Sequence, residues 1–323
     1  MKILVTGGAG YIGSHLVDRL LERGDEVYAI DNLSTGKISN IHHHLDADRF
    51  RFLNDTILNE ALLDRLASDV DLVYHLAALV GVKYVVADPL AAIKTNVTGT
   101  EAVLGAAFKY WKKVVLASSS EIYGKSAKIP FYEEDDRVLG PTSVGRWSYS
   151  TSKAIDEHFA FAYAAKGLPV ATVRFFNSYG PRLDEKGYGS VVANLVRQAL
   201  KGEPLTVHGD GRQTRCFTYI DDTVEGTLLA GEVKAGEGLV FNIGAEAETT
   251  ILELATTIKR LTGSRSEIVF VPYRDYYGEG FEDTRRRVPS IDRAKTVLGF
   301  VPKVKLEEGL TRTIAWCREH YTR

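Results

Sequence analysis

Apolar positions along this chain follow two alternating rhythms. Short, nearly continuous runs at Lys2 to Thr6, Glu26 to Ile30, Phe50 to Leu53, Leu72 to His75, Lys113 to Ala117 and Val170 to Phe175 read as strands covered on both faces. Between the first two, Ile12, Leu16, Val17, Leu20 and Leu21 recur at helical spacing, and Gly24 follows Arg23 where a C-cap would sit. Repetition of that unit predicts an α/β fold with a doubly wound parallel sheet, whose ligands bind beyond the carboxyl ends of the strands. After about residue 176 the pieces become shorter and richer in Gly, Pro, Tyr and Arg, as in Tyr179 to Arg182, Gly209 to Arg212 and Pro272 to Pro289. Asp221 to Ala230 and Leu239 to Ile243 again read as helix then strand, so the chain is expected to return to the sheet. The predicted division is a nucleotide-binding domain over 1–177, rejoined by 219–245, and a smaller α/β lid within 178–323, mainly 178–218 and 246–323. The apolar stretch Pro89 to Phe108 predicts a helix serving both the core and the packing of a homodimer.

Composition narrows the function by exclusion. A formal net charge of -2 with 25% charged residues gives no field suited to nucleic acid or an anionic membrane. No apolar run reaches membrane-spanning length and no leader-like segment precedes the first strand, which predicts a cytoplasmic enzyme. Cys216 and Cys317 fit no metal-ligand spacing. His42-His43-His44 reads as a solvated loop without acids on a shared element, so no metal is expected.

Candidate chemistry gathers at strand ends. Gly8-Ala9-Gly10-Tyr11-Ile12-Gly13, preceded by Gly7, lies between the first strand and first helix, where a backbone can approach a pyrophosphate at a helix N-terminus. This makes the sheet a Rossmann sheet. Asp31 ends the second strand about 20 residues later, where a carboxylate can accept from ribose hydroxyls and repel a 2'-phosphate, favouring NAD over NADP; Lys37 nearby is the one contrary sign. Tyr149 and Lys153 form the only Tyr-x-x-x-Lys and share a helix face, so the ammonium is expected to lower the phenol's pKa and let Tyr149 take a proton from a sugar hydroxyl. The polar run Ser118-Ser119-Ser120-Glu121 follows the fifth strand and should reach the same edge.

These motifs, together with His75-Leu76-Ala77-Ala78, Arg174 to Arg182 and Gly211 to Phe217, resemble in order those of the NAD-dependent epimerase/dehydratase family over nearly the whole chain. The resemblance implies a UDP-sugar substrate, with Ser119, Tyr149 and Lys153 catalytic. It implies a cofactor site of Gly7, Gly10, Tyr11, Ile12, Gly13, Asp31, Asn32, Leu76, Ala77, Ala78, Asn96 and Ser118 with the Tyr149/Lys153 pair, and substrate contacts from Ser120, Arg146, Asn177, Val192, Arg215 and Arg287. Ser120-Glu121 departs from the Asp-Glu of the 4,6-dehydratases and is similar to UDP-glucuronate decarboxylases, as are Arg146-Trp147-Ser148-Tyr149 and the stretch Tyr276 to Asp283 running to Arg287-Val288-Pro289. By that likeness Glu121 joins the catalytic set and the product is UDP-xylose. Ser119 stands where decarboxylases usually carry Thr, and Leu79-Val80-Gly81-Val82 is closer to epimerases. A UDP-sugar 4-epimerase and an NAD-binding member without turnover remain the alternatives.

Overall fold

A computed structural model describes residues 1–81, 85, 88–184, 190–277 and 284–321. The central sheet takes the strands β1 (Lys2–Thr6), β2 (Glu26–Ile30), β3 (Phe50–Leu53), β4 (Leu72–His75), β5 (Lys113–Ser119) and β6 (Val170–Phe175), all parallel, in the order 3-2-1-4-5-6. The order reverses between β1 and β4, which opens a crevice at their carboxyl ends. Alternate residues feed opposite cores: Ile3 and Val5 pack on one side with Leu16 and Leu20 of helix α1 (Tyr11–Glu22), while Leu4 packs on the other. There it meets Leu63 of α2 (Glu60–Asp69) and Leu104 of α4 (Gly99–Lys109). Each such side chain is fully buried and contributes roughly 1.5–3 kcal/mol through removal from water.

The expected helix from Pro89 is present but uneven. α3 (Pro89–Ile93), opened by Asp88 accepting from Ala91 N, runs through a π-turn at Lys94–Thr98 into α4. α5 (Trp147–Ala165) then crosses behind β5 and β6.

Beyond β6 the chain forms β7 (Ser178–Tyr179), α6 (Val191–Lys201), β8 (Leu205–His208), β9 (Thr214–Cys216), β10 (Thr218–Tyr219) and α7 (Ile220–Glu232). It then returns: β11 (Val240–Ile243) pairs in parallel with β6 and becomes the seventh strand. Asn242 of β11 accepts from Tyr123 Oη at 2.7 Å and donates to the carbonyls of Phe131 and Ser290. The chain continues through β12 (Glu248–Thr250), α8 (Ile251–Thr262) with a Thr250/Glu253 capping box, β13 (Ile268–Val271), α9 (Tyr273–Tyr277), β14 (Arg286–Arg287) and α10 (Leu306–His320). Among the described residues three small sheets, β10-β7, β12-β9-β14 and β13-β8, belong to this half. Among the described residues, no helix is long and apolar enough to cross a membrane.

Candidate active site

The glycine loop is shaped by what a side chain would hit. Gly7 adopts φ +71°, and a Cβ there would lie 2.8 Å from Ala77 N; a Cβ on Gly13 would lie 2.1 Å from Gly7 O. Gly10 caps α1 without a side-chain hydrogen bond, and no acid occupies the first turn, so the helix N-terminus stays suited to an anion. Gly10, Tyr11, Ile12 and Gly13 line a cleft of about 810 Å³ that also takes in Asp31, Asn32, Leu76, Ala77, Ala78, Ser118 and Lys153. Tyr11 Oη is buried there without a hydrogen-bond partner. These donors and this close backbone fit a dinucleotide.

Asp31 accepts from Ala9 N at 3.0 Å and Leu33 N at 2.8 Å, while Gly36 sits against its carboxylate, where a Cβ would fall 2.7 Å from an oxygen. Lys37, the residue that could favour a 2'-phosphate, pairs instead with Asp184 at 3.3 Å. The Asp31→Arg variant is expected to lose at least about tenfold in NAD affinity and to gain in NADP affinity. Cofactor titration by fluorescence checks this; unchanged NAD affinity would remove Asp31 from the ribose site.

Tyr149 and Lys153 lie one turn apart on α5, and both line the cleft. Lys153 Nζ donates to Ala117 O at 3.0 Å and to Asp156 Oδ2 at 3.1 Å, which fixes the helix against the end of β5. Burial pushes the Tyr149 phenol above its usual pKa of 10.0, against the lowering effects of Lys153 and of a hydrogen bond with Ser119. The expected lowering by lysine is therefore present but outweighed by desolvation in this pocket. Ser119 also caps a short 3-10 turn, Ser120–Tyr123, by accepting from Glu121 N at 3.2 Å.

That turn carries Glu121 to the wall of a second cavity of about 200 Å³, which shares Gly81, Ser119, Tyr149, Phe175 and Asn177 with the larger cleft. Ser120, Arg146 and Arg287 complete its polar lining. Arg287 Nη1 donates to Glu121 Oε1 at 2.7 Å, and Arg146 Nη2 lies 3.5 Å from Oε2. Burial alone would raise the Glu121 carboxyl, but Arg287, Arg146 and Arg215 draw it down to about 2. It is a carboxylate at neutral pH.

Not every expected residue reaches these cavities. Asn96, on the π-turn, is fully buried; it accepts from Leu79 N at 2.8 Å and donates to Ser152 Oγ at 3.1 Å, so it braces the cleft wall rather than lining it. Val192, two residues beyond Ser190, points into the core, whereas Ser190 at the N-cap of α6 lines the cleft. Arg215 stands opposite Arg287 on the neighbouring strand and donates to the carbonyls of Thr214 and Thr284, outside the lining of both cavities. Ser118 lines the cleft, but its hydroxyl donates to Glu157 at 2.6 Å. Positions 278–283, within the stretch similar to decarboxylases, lie outside the described residues, as does Val82. The histidine run is not without an acid: His43 and His44 Nε2 lie 3.1 and 2.8 Å from Asp18 Oδ1, and Arg182 pairs with the other oxygen at 2.8 Å. Asp18 sits on α1, 25 residues before His43, so spacing within the run could not reveal it.

Comparison with known proteins agrees with this geometry. The family model described as GDP-mannose 4,6 dehydratase matches residues 4–313. A UDP-N-acetyl-alpha-D-glucosaminuronate decarboxylase of Bacillus cytotoxicus is 45% identical over 98% of both chains. UDP-glucuronic acid decarboxylase 1 of Xenopus tropicalis is 38% identical, covering 98% of this chain and 72% of that protein. Among solved structures, a UDP-glucose 4-epimerase of Thermotoga maritima superposes with a TM-score of 0.89 at 37% identity, covering 99% of this chain and 100% of that one. A UDP-glucuronic acid 4-epimerase of Bacillus cereus, bound to UDP-glucuronic acid and NAD, gives 0.88 at 32% identity over 99% of each. With its glycine-loop cleft, Tyr149/Lys153 pair and full-length likeness, the chain belongs to the NAD-dependent epimerase/dehydratase family of nucleotide-sugar enzymes.

Proposed function

We propose that the chain decarboxylates a UDP-hexuronate, UDP-glucuronate being the first substrate to test, with UDP-xylose as its product. The observation that carries this is the cluster beside Tyr149: among the described residues, the guanidiniums of Arg287 and Arg146 face the carboxylate of Glu121, and Arg215 is close enough to act on the same charge. Arg287 Nε is in addition buried without a hydrogen-bond partner. A buried guanidinium with a donor to spare suits a sugar that brings its own carboxylate.

Bound NAD supplies the acceptor for the hydride of C4 and later its donor. Tyr149, hydrogen-bonded with Ser119 and supported by Lys153, takes the C4 hydroxyl proton. The product is a β-keto acid, so the C5 carboxylate leaves as carbon dioxide while the electron pair passes into the C4 enolate. Arg287, held by Glu121, would orient that carboxylate; once C5 has taken a proton from solvent water, Tyr149 would return its proton to the C4 oxygen in the reduction that bound cofactor would supply. Asn177, with its amide anchored on Cys216 O at 3.0 Å, serves the diphosphate side. Residues 178–218 and 246–323 form the sugar-nucleotide lid. The enzyme works as a homodimer through α3 and α5, which adjoin and leave Leu90, Ile93, Ile155 and Phe161 exposed.

The test is product NMR from UDP-glucuronate, UDP-N-acetylglucosaminuronate and UDP-glucose in parallel, with carboxyl-labelled uronates to trap carbon dioxide. Release of label supports the proposal, and the uronate giving faster release names the substrate. UDP-galacturonate formed without label release would favour the second reading, a 4-epimerase, which the fold's likeness to the Bacillus cereus enzyme supports.

A further inference from the structure

We propose that Asp156 is a positioning residue for hydride transfer, its buried carboxylate keeping the Lys153 ammonium charged and in place beside Tyr149; this rests on the reading that Tyr149 exchanges the C4 hydroxyl proton. Tyr149, Lys153 and Asp156 are spaced four and three apart, so all three share one face of α5. Lys153 is 3% exposed and Asp156 fully buried. The ammonium gives two of its three donors to Ala117 O and to Asp156 Oδ2.

The neighbouring acid cannot take this role. Glu157 receives Nε and Nη2 of Arg174 at 2.8 and 2.6 Å and the Ser118 hydroxyl at 2.6 Å, so its charge is already matched from β6. From β4, His75 brings no charge at neutral pH, because burial pushes its pKa down to about 3. From the turn after β5, Glu121 is bound by Arg287. That leaves Asp156 as the carboxylate matched to Lys153 among the described residues.

Asp156 is itself held from behind. The Thr100 hydroxyl favours its charged form, while Asp156 Oδ1 is buried without a hydrogen-bond partner; behind Thr100, His75 Nε2 lies 2.9 Å from its Oγ1, and His75 Nδ1 lies 2.7 Å from Thr6 Oγ1, which accepts from Ala77 N at 3.1 Å. This polar thread runs from the last residue of β1, at the glycine loop, through His75 of β4 to Thr100 of α4.

A buried ammonium without a counter-charge gives up its proton readily. Burial does lower Lys153, but Asp156, Tyr149 and Glu157 together hold its pKa above 10.5. The same carboxylate raises Tyr149. Replacing its charge should therefore move both ionisations to lower pH.

The experiment follows NADH formation by stopped flow in holoenzyme given UDP-glucuronate, UDP-N-acetylglucosaminuronate and UDP-glucose, so that C4 oxidation is read whether the enzyme is a decarboxylase or an epimerase. Trapped carbon dioxide, measured alongside, tests the decarboxylase reading separately. Wild type should show no alkaline loss below about pH 9.5. Asp156→Asn should lose activity at least about one pH unit earlier and oxidise C4 about tenfold more slowly at pH 8, with KM within about twofold. Asp156→Glu, which keeps the charge, should restore the position of the alkaline limb. An Asn profile that is only scaled down, with both limbs unmoved, overturns the proposal. So does a wild-type limb well below about pH 9.5, which decides the matter even if the Asn variant does not fold.

Discussion

Tyr149→Phe is expected to slow C4 oxidation by about two to four orders of magnitude while leaving the fold and the bound NAD unchanged. The magnitude reflects removal of a general base and nothing else. Phenylalanine keeps the ring that lines both cavities, and the hydroxyl lost takes part in one hydrogen bond, with Ser119. The check is single-turnover NADH absorbance with any oxidised UDP-sugar, alongside NAD content and thermal melting. A variant that oxidises C4 at a normal rate would show that another group is the base.

Arg287 and Glu121 are expected to fail at a different step. In Glu121→Ala, release of labelled carbon dioxide should fall by more than about two orders of magnitude, or about 2.7 kcal/mol of barrier, while NADH still appears. The carboxylate positions Arg287 for the decarboxylation stage, whereas Tyr149, Ser119 and Lys153 keep their own contacts. Arg287→Ala should lose carbon dioxide release to the same extent and should also raise KM for a uronate, because the guanidinium that meets the sugar carboxylate is gone. Breaking a buried pair by removing one partner costs up to about 3–5 kcal/mol, so both variants also need a melting curve; the 22% exposure of the Glu121 side chain argues for the smaller end. The pH sign is set by a depressed carboxyl. The pair's contribution to stability is complete above the ordinary value of 4.5 and fades as pH falls toward about 2. Carbon dioxide release should accordingly show no Glu121 ionisation between about pH 5 and 9. Equal loss of NADH formation and carbon dioxide in Glu121→Ala would place Glu121 in hydride transfer.

Much of the sheet was legible because fully buried parallel strands write themselves as unbroken apolar runs. β1 to β4 and β6 begin and end where the runs do, and the return of the chain at 239–243 appears as β11. The fifth run extends two residues further, to Ser119, since ladder pairing with Arg174 and Phe175 continues into polar sequence. The glycine loop, Asp31 and Tyr149/Lys153 were readable because each is local, one loop or one helical turn. What escaped depends on partners distant in sequence or on backbone detail. The π-turn that buries Asn96 leaves the helical periodicity of 89–108 almost intact, so an inward amide looks the same as one aimed at a ligand. Ser118 reads as a cleft hydroxyl until Glu157, itself held by Arg174, is seen to claim it. Asp18, shared by His43, His44 and Arg182, joins three separate elements.

The pairing of β11 with β6 also sets an order of events during synthesis. β6 is complete at residue 175, yet the strand that covers its outer edge ends at residue 243. While the intervening residues are being made, that buried-type strand offers a row of open backbone donors and acceptors, the state in which sheet edges pair with other chains. An N-terminal piece ending near residue 177, although it carries the glycine loop and the Tyr149/Lys153 helix, would keep that edge permanently. The nucleotide-binding sheet is thus finished only after the first part of the opposite half, residues 178–218, has been made.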